Sequence, residues 1–313
     1  MVCISDFENP SDARFSRSWR HPVDLSYTEV GEPTARPLVL LVGLGMQMHE
    51  WPRTFLENLS KSFRVICVEN RDAGQSLRCG PDSEPNIASI WLHADEESAT
   101  KYAPYSVFDM RDDVIDLLDK LNIQSFDIIG FSMGGMIAQL VAAKTASRVG
   151  SFIQFASNDG TIHMNSTDEA KRRIARLFVE PEASEQIKEY LLEDTLYYGA
   201  GRVGLSDELI AEIEKIYLQG FSCGGSARQA LAVLSSGDRR DQLRTIRART
   251  LVVHGDSDPC ISPQSGKTAA ELIPNAKFKL LKGVGHIVDE QMCAAALSWL
   301  CRNQSSEFAK PTN

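Results

Sequence analysis

The chain has 313 residues, 43% of them hydrophobic, which is enough to bury a sizeable core in one large α/β domain with or without an inserted module. Its 33 Lys and Arg residues against 42 Asp and Glu residues give a net charge of −9. This negative field repels phosphate backbones and anionic lipid surfaces, so composition argues against nucleic-acid and membrane partners.

Two further features bear on the compartment. Residues 1–20 lack the basic patch and apolar stretch of a signal peptide, and no apolar run reaches the length of a membrane span. The seven cysteines are scattered, with no C-x-x-C pair and no Cys/His spacing typical of a zinc site. The sequence therefore predicts a cytoplasmic protein with reduced thiols and no metal or other cofactor.

Strands and helices alternate along the first half of the chain. The predicted strands are VDLSYTEVG (23–31), PLVLLVG (37–43), RVICVE (64–69), FDIIGF (126–131) and SFIQFAS (151–157). Helical spacing of apolar residues predicts helices over 51–63, 106–121 and 134–146. The first strand alternates as an edge strand does, whereas the later aliphatic runs are typical of strands covered on both faces.

Residues 78–104 show no clear element and form a long connection for a compact domain. Such a segment is either functional or poorly ordered. Its aromatic residues, among them Trp91 and Tyr102, favour a functional role.

The pattern changes between residues 158 and 237, where four helical patterns and no strand-like run are found. Strand and helix alternation then resumes with strands in 249–259 and 276–283, a helix in 266–273 and a closing helix over 287–301. We therefore predict an α/β fold with a doubly wound, mostly parallel sheet. The core comprises 1–157 and 238–313, and a helical cap comprises 158–237.

Ser132 lies at the junction of a predicted strand and a predicted helix, in FDIIGFSMGG. Gly130 to Gly134 fits G-x-S-x-G, in which a sharp turn exposes the serine and the glycines avoid crowding it. The N-terminus of the following helix favours negative charge that develops there. The alternative is a glycine-rich turn whose serine only caps the helix.

A serine nucleophile needs a general base, normally a histidine oriented by a carboxylate. His286 lies in the glycine-rich loop KGVGHIVDE after a predicted strand and is the expected base. His254 lies inside a strand and is expected to be structural, and His163 begins the helical segment without a suitable loop. For the acid, Asp258 is favoured because it precedes a proline, while Asp256 is expected to hydrogen-bond the turn itself.

These motifs and their order resemble the α/β-hydrolase fold superfamily over about residues 23–301, with GFSMGG as nucleophile elbow, HGDSDP as acid loop and GVGH as histidine loop. In that family the acid follows the loop glycine by three residues, which corresponds to Asp258. VGLGMQMHEWP is similar to the family's His-Gly oxyanion loop, although Val42 stands where histidine is usual. The resemblance implies that the oxyanion donors are the backbone N–H groups of Leu44 and Met133.

ENRDAGQS resembles a D-x-R-G-x-G-x-S stretch of the family, with Glu69 for the aspartate and Asp72 for the first glycine. We interpret it as a structural turn. The sequences GLGMQ, NRDAGQS and GFSMGGMIAQ together most resemble those of bacterial carboxylesterase-like hydrolases, a group that includes methylesterases acting on polyketides.

The resemblance implies a serine hydrolase that cleaves the carboxylic ester of a small to medium apolar molecule through an acyl-enzyme. Met46, Met48, Trp91 and Tyr102 are candidate substrate-binding residues, with plain core packing as the alternative for each. A carbon–carbon bond hydrolase or a cofactor-free haloperoxidase could use the same residues, and a non-catalytic small-molecule receptor could share the fold. A serine at the elbow argues against the haloalkane dehalogenases and epoxide hydrolases, which use an aspartate.

Overall fold

A seven-stranded β-sheet forms the centre of the protein. The computed structural model describes residues 21–80, 87–161, 166–181 and 183–307. The strands are β1 (Tyr27–Val30), β2 (Arg36–Leu41), β3 (Phe63–Val68), β4 (Phe126–Phe131), β5 (Val149–Phe155), β6 (Arg249–Gly255) and β7 (Lys277–Leu281). Their order is β1-β3-β2-β4-β5-β6-β7. β1 pairs antiparallel with β3 at the edge and the later pairs are parallel, which confirms the predicted sheet.

Helices connect the strands and cover both faces of the sheet. The helices of the described residues are α1 (Arg53–Leu59), α2 (Ile87–His93), α3 (Glu96–Tyr102), α4 (Val107–Lys120), α5 (Met133–Lys144), α6 (Asp168–Arg176), α7 (Ser184–Tyr198), α8 (Asp207–Leu218), α9 (Cys223–Ser235), α10 (Arg240–Thr245), α11 (Pro263–Leu272) and α12 (Glu290–Glu307), with a short 3-10 turn at Met48–Glu50. None of them is both long and apolar enough to cross a bilayer.

The side chains of β2 show how the sheet divides the core. Val39 and Leu41 point to the face covered by α4 and α5. Leu38 and Leu40 point to the opposite face, which α1 and α12 cover. All four side chains are fully buried, as the continuous aliphatic run predicts for a strand packed on two sides. The carboxyl ends of the parallel strands are left to carry the loops of the candidate site.

Residues 87–102 differ from the sequence-based expectation, because the structure places α2 and α3 where no element was predicted. Each helix has only seven residues, too few for an apolar period to stand out. Trp91 packs edge to face on Phe178, and both belong to an apolar cluster that joins α2 and α3 to α9. Tertiary packing therefore stabilises these short helices.

The described part of 158–237 consists of helices α6 to α9 with their connections, and it contains no strand. This matches the predicted helical character of the segment. α9 differs from the other three helices because its residues from Cys223 to Leu234 are all buried. The helix α10, which the sequence pattern did not reveal, follows directly after the segment.

Candidate active site

Ser132 occupies a strained turn between β4 and α5. Its backbone has φ 53° and ψ −120°, a conformation that residues with a side chain rarely adopt. A Cβ atom on Gly130 would lie 2.3 Å from the carbonyl oxygen of Gly134, and one on Gly134 would lie 2.2 Å from the carbonyl oxygen of Leu41. Both contacts are with rigid backbone, so the two glycines are sterically required for this turn.

Ser132 also occupies the N-cap position of α5, where a purely structural serine would bond the first turn. Among the described residues its side chain makes no capping hydrogen bond. The hydroxyl Oγ instead lies 2.9 Å from Nε2 of His286. This contact favours a nucleophile over a helix cap.

Asp258 completes a chain of three side chains. Its Oδ2 atom lies 2.7 Å from Nδ1 of His286, while its Oδ1 atom accepts the backbone N–H groups of Cys260 and Ile261 at 2.8 and 2.9 Å. Because the carboxylate can only accept, Nδ1 carries the proton and Nε2 is free to accept the proton of Ser132. This is the tautomer that a general base requires.

Asp256, the alternative acid, is engaged elsewhere. Its carboxylate accepts the backbone N–H of Gly283 at 2.7 Å and the hydroxyl of Ser257 at 2.8 Å. These bonds tie together the acid loop and the turn after β7, as the sequence predicts for a turn residue. The structure therefore brings Asp258 and not Asp256 to the candidate base.

His254 contacts the same carboxylate. Its fully buried ring places Nε2 3.1 Å from Oδ2 of Asp258 and 2.9 Å from the carbonyl oxygen of Ile261. Since that carbonyl only accepts, Nε2 is the protonated nitrogen. The expected structural role thus takes a specific form, a hydrogen bond to the candidate acid. The other histidine considered, His163, lies outside the described residues.

The charges of Asp258 and His286 stabilise each other. Burial disfavours the ionised form of Asp258, but the charge of His286 and hydrogen bonds from both histidines outweigh burial and hold the carboxyl pKa well below its ordinary 3.8. Burial would likewise lower the pKa of His286, but the charge and hydrogen bond of Asp258 raise it well above 6.5. The imidazole is therefore prepared to accept a proton.

The predicted oxyanion loop runs beside Ser132. A Cβ atom on Gly43 would lie 3.3 Å from Cβ of Ser132, and Leu44 follows directly. Met133 begins α5, so its N–H belongs to the first turn, which lacks intrahelical acceptors. Among the described residues neither Leu44 nor Met133 donates its N–H to a hydrogen bond, so both groups are available to a ligand.

The four predicted substrate-binding residues lie in two regions. Met46 and Met48 are partly buried against the apolar cluster on the α1 and α12 face. Trp91, which is 3% exposed, and the partly buried Tyr102 belong to the cluster around α9, which reaches Leu44. Core packing accounts for the observed contacts of all four.

Two large clefts lie away from Ser132, His286 and Asp258. One, of about 670 Å³, lies among helices of 158–237 and is lined by Tyr217 and Phe221. The other, of about 620 Å³, is lined by Met48, Gln75 and Lys215. Neither lining includes Ser132 or His286, and within the described ranges no three His, Cys, Asp or Glu side chains gather as metal ligands would.

The polar turn NRDAGQS is held by buried ion pairs. Arg71 pairs with Asp113, and Asp72 pairs with Arg228 and accepts a hydrogen bond from the hydroxyl of Tyr105. Asp72 adopts φ 70°, at the position where the family has glycine. These internal contacts agree with the interpretation as a structural turn.

Sequence reasoning missed two residues of 158–237 that contact the site loops. The carbonyl oxygen of Tyr198 accepts the backbone N–H of His286 at 2.8 Å, and a Cβ atom on Gly285 would lie 2.0 Å from that oxygen. Gln229 on α9 accepts the backbone N–H of Gly45 in the oxyanion loop. Both contacts join segments far apart in sequence, so no local pattern could reveal them.

Comparisons with known proteins agree with this architecture. The profile of a family described as alpha/beta hydrolase fold matches residues 36–181. The chain is 26% identical to 3-oxoadipate enol-lactonase 2 of Acinetobacter baylyi (83% of this chain, 85% of that protein) and 25% identical to a non-heme haloperoxidase of Rhodococcus erythropolis (81% and 86%). The crystal structure of the enol-lactonase of Burkholderia xenovorans superposes with a TM-score of 0.67 at 22% identity, over 90% of this chain and 97% of that one. The chain therefore has the α/β-hydrolase fold.

Proposed function

We propose that this protein is a serine hydrolase that cleaves the carboxylic ester of a small to medium apolar molecule. The observation that carries the proposal is the hydrogen-bonded chain from Ser132 through His286 to Asp258, with links of 2.9 and 2.7 Å. A serine hydroxyl, a base and an orienting carboxylate in this order, beside two free N–H groups, is the arrangement that acyl transfer requires.

In the acylation step, Nε2 of His286 takes the proton of Ser132 as Oγ forms a bond to the ester carbonyl carbon. The carbonyl oxygen becomes an oxyanion, which the N–H groups of Leu44 and Met133 stabilise. Each such donor lowers the barrier by on the order of 3 kcal/mol in comparable enzymes. The tetrahedral intermediate then expels the alkoxide, which takes the proton from His286 and leaves as the alcohol.

Deacylation repeats the sequence with water. His286 removes a proton from a water molecule as its oxygen attacks the acyl carbon, and the same two N–H groups hold the second oxyanion. The intermediate releases the carboxylic acid, and Oγ of Ser132 recovers its proton from His286. Asp258 stays ionised throughout and stabilises the imidazolium, in keeping with its lowered pKa.

An apolar substrate fits the surroundings of the reacting serine. A Cβ atom on Gly43 would contact Ser132 at 3.3 Å and the sulfur of Met46 at 2.9 Å, so this methionine lies close to the nucleophile. Leu44 is partly buried against the cluster that contains Trp91 and Tyr102. We propose these apolar side chains as the walls that receive the acyl or alcohol group, with Met48 as a more distant member.

We further propose that residues 158–237 form a cap over this site. The contact of Tyr198 with the backbone of His286 supports a position of α7 above the histidine loop. We place the enzyme in the cytoplasm, because the six cysteines of the described residues are free thiols and five of them are buried.

The nucleophile is tested with a fluorophosphonate probe, which reacts covalently with activated serines. We expect the wild-type protein to be labelled and Ser132→Ala to remain unlabelled. His286→Ala should be labelled far more slowly, while Asp256→Asn serves as a matched loop control. Absent labelling of the wild type, or labelling that survives Ser132→Ala, would exclude the serine mechanism.

The reaction class needs a separate measurement, since a relative named as a haloperoxidase has 25% identity to this chain. Hydrolysis of p-nitrophenyl acetate, butyrate and octanoate is compared with cleavage of a vinylogous diketone and with peroxide-dependent halogenation. Ester turnover lost in Ser132→Ala supports the esterase. Labelled protein that cleaves only the diketone would assign a carbon–carbon bond hydrolase, and labelled protein without turnover would indicate a receptor.

A further inference from the structure

Helix α9 lies directly against the oxyanion loop. Ser226, Arg228 and Gln229 on its inner face are at most 2% exposed. A Cβ atom on Gly45 would lie 2.8 Å from Oγ of Ser226, so the helix and the loop are in close contact. α9 is anchored independently of this contact by the fully buried pair between Arg228 and Asp72.

Gln229 uses both ends of its amide to join the two loops that follow β2 and β3. Its Oε1 atom accepts the N–H of Gly45 at 2.7 Å, and its Nε2 group donates to the carbonyl oxygen of Arg71 at 2.7 Å. The donor and the acceptor on either side define the orientation of the amide. The bond to Arg71 is buried and the bond to Gly45 is partly buried, so solvent replaces the first of them poorly if the side chain is removed.

The bonded N–H belongs to a tight turn that contains the candidate oxyanion donor. Met46 donates its N–H to the carbonyl oxygen of Gly43 at 3.3 Å, so Leu44 and Gly45 are the two central residues. Gly45 has φ +71°, as the third residue of a type II turn does. Rotation of the Leu44–Gly45 peptide would convert this turn to type I and direct the Gly45 N–H away from Gln229.

We propose that Gln229 is a positioning residue. Its bond to the Gly45 N–H holds the turn over residues 43–46 in one form and so fixes the backbone of Leu44, whose own N–H lies in the preceding Gly43–Leu44 peptide and is the candidate oxyanion donor. The inference rests on the proposed function, because only a reaction with an oxyanion uses that N–H. It also assigns α9 a second role. Beyond its place in the predicted cap, this helix holds part of the reaction site in its working geometry.

The test replaces Gln229 with Leu and, separately, with Met, which keeps the chain length without the amide. We expect kcat on a p-nitrophenyl ester to fall by roughly 10- to 100-fold, below the effect of deleting a donor outright, with KM changed less than about threefold. The inhibition constant of a trifluoromethyl ketone, which forms an oxyanion on Ser132, should rise in proportion to the loss of kcat/KM.

Val233→Ala is the matched control, because Val233 lies on the same helix and is buried in the main core. It should lower thermal stability and leave kcat and the inhibition constant unchanged. The inference is overturned if either Gln229 variant keeps wild-type kcat, or if kcat falls while ketone binding is unaffected. Failure of the proposed function is separate, since it appears as absent fluorophosphonate labelling of the wild-type protein.

Discussion

His254 and His286 share one oxygen atom of Asp258, with Nε2 of the first at 3.1 Å and Nδ1 of the second at 2.7 Å from Oδ2. The other carboxylate oxygen accepts two backbone N–H groups. The position of Oδ2, which orients the candidate base, therefore depends on a second histidine. His254 is held in turn by the carbonyl oxygen of Ile261.

Replacing His254 should weaken the orientation of Asp258. His254→Leu removes one hydrogen bond to the ionised carboxylate of Asp258. Hydrogen bonds to charged groups contribute about 1.5–3 kcal/mol, and we expect kcat to fall on the order of tenfold. His254→Gln retains an N–H near the position of Nε2 and should stay close to wild type. Ester turnover and urea denaturation of both variants provide the measurement.

The comparison between these two variants separates positioning from packing. A ring that serves only to fill space would make both variants less stable without changing kcat. A shared loss of stability with wild-type turnover would therefore contradict the positioning role of His254.

The pH dependence of turnover should reflect the raised pKa of His286. The base is active only when neutral, so kcat/KM rises as the pH passes the pKa of the imidazole. Because Asp258 raises that pKa well above 6.5, the midpoint of the acidic limb should lie above pH 6.5. Asp258→Asn removes the charge, so the midpoint should move to lower pH while the plateau falls by about 10⁴.

Asp256→Asn is the control for this profile. Asp256 bonds Gly283 and Ser257 instead of the candidate base, so neither the midpoint nor the plateau should change appreciably. A larger loss of kcat/KM in Asp256→Asn than in Asp258→Asn would show that Asp256, and not Asp258, is the acid.

The parts of this site that the sequence predicted are those with a local signature. β4 was predicted with its observed bounds, because its apolar run ends at a glycine-flanked serine. Ser132, Asp258 and His286 each follow a strand, so the carboxyl ends of a parallel sheet bring them together. Residue spacing and turn chemistry were sufficient for these positions.

The contacts of Gln229 and His254 could not be predicted, because each depends on a long-range approach of two elements. The start of α9 shows the same limit. Gly224 and Gly225 weaken the helical pattern, yet the helix begins at Cys223, where a Cβ atom on Gly225 would lie 2.1 Å from the carbonyl oxygen of Asp72. Close packing therefore requires a residue that local propensity disfavours.

Stability should fall with rising pH through the carboxyl group of Glu50. Burial and the charges of Glu212 and Glu69 raise its pKa from 4.5 to about 8, although the N–H of Gln47 donates to the group at 2.6 Å. Between these two pKa values the native state holds a proton that the unfolded chain has lost. The free energy of unfolding therefore decreases by at most about 1.4 kcal/mol per pH unit in this window.

Glu50→Gln removes this titration and retains an oxygen that can accept from Gln47. The variant should gain stability over wild type as the pH rises from 5 to 8, as measured by urea denaturation at several pH values. A stability difference that stays constant over this range would show that Glu50 is ionised in the native protein.

A methyl group on Gly134 should disturb both the fold and the reaction. The new Cβ atom would lie 2.2 and 2.5 Å from the backbone oxygens of Leu41, which ends β2, and of Val42, which follows it. Both are backbone atoms at the centre of the fold and cannot move aside cheaply. We expect Gly134→Ala to lower the free energy of unfolding by about 2–3 kcal/mol. Turnover should fall further than the loss of stability explains, because displacement of α5 moves the N–H of Met133.

Gly204→Ala is the control, since its Cβ would meet no atom within 4 Å, and its free energy of unfolding should stay within about 0.5 kcal/mol of wild type. Wild-type turnover in Gly134→Ala would show that the elbow tolerates a shift of α5, and would remove the helix N-terminus from the proposed oxyanion hole.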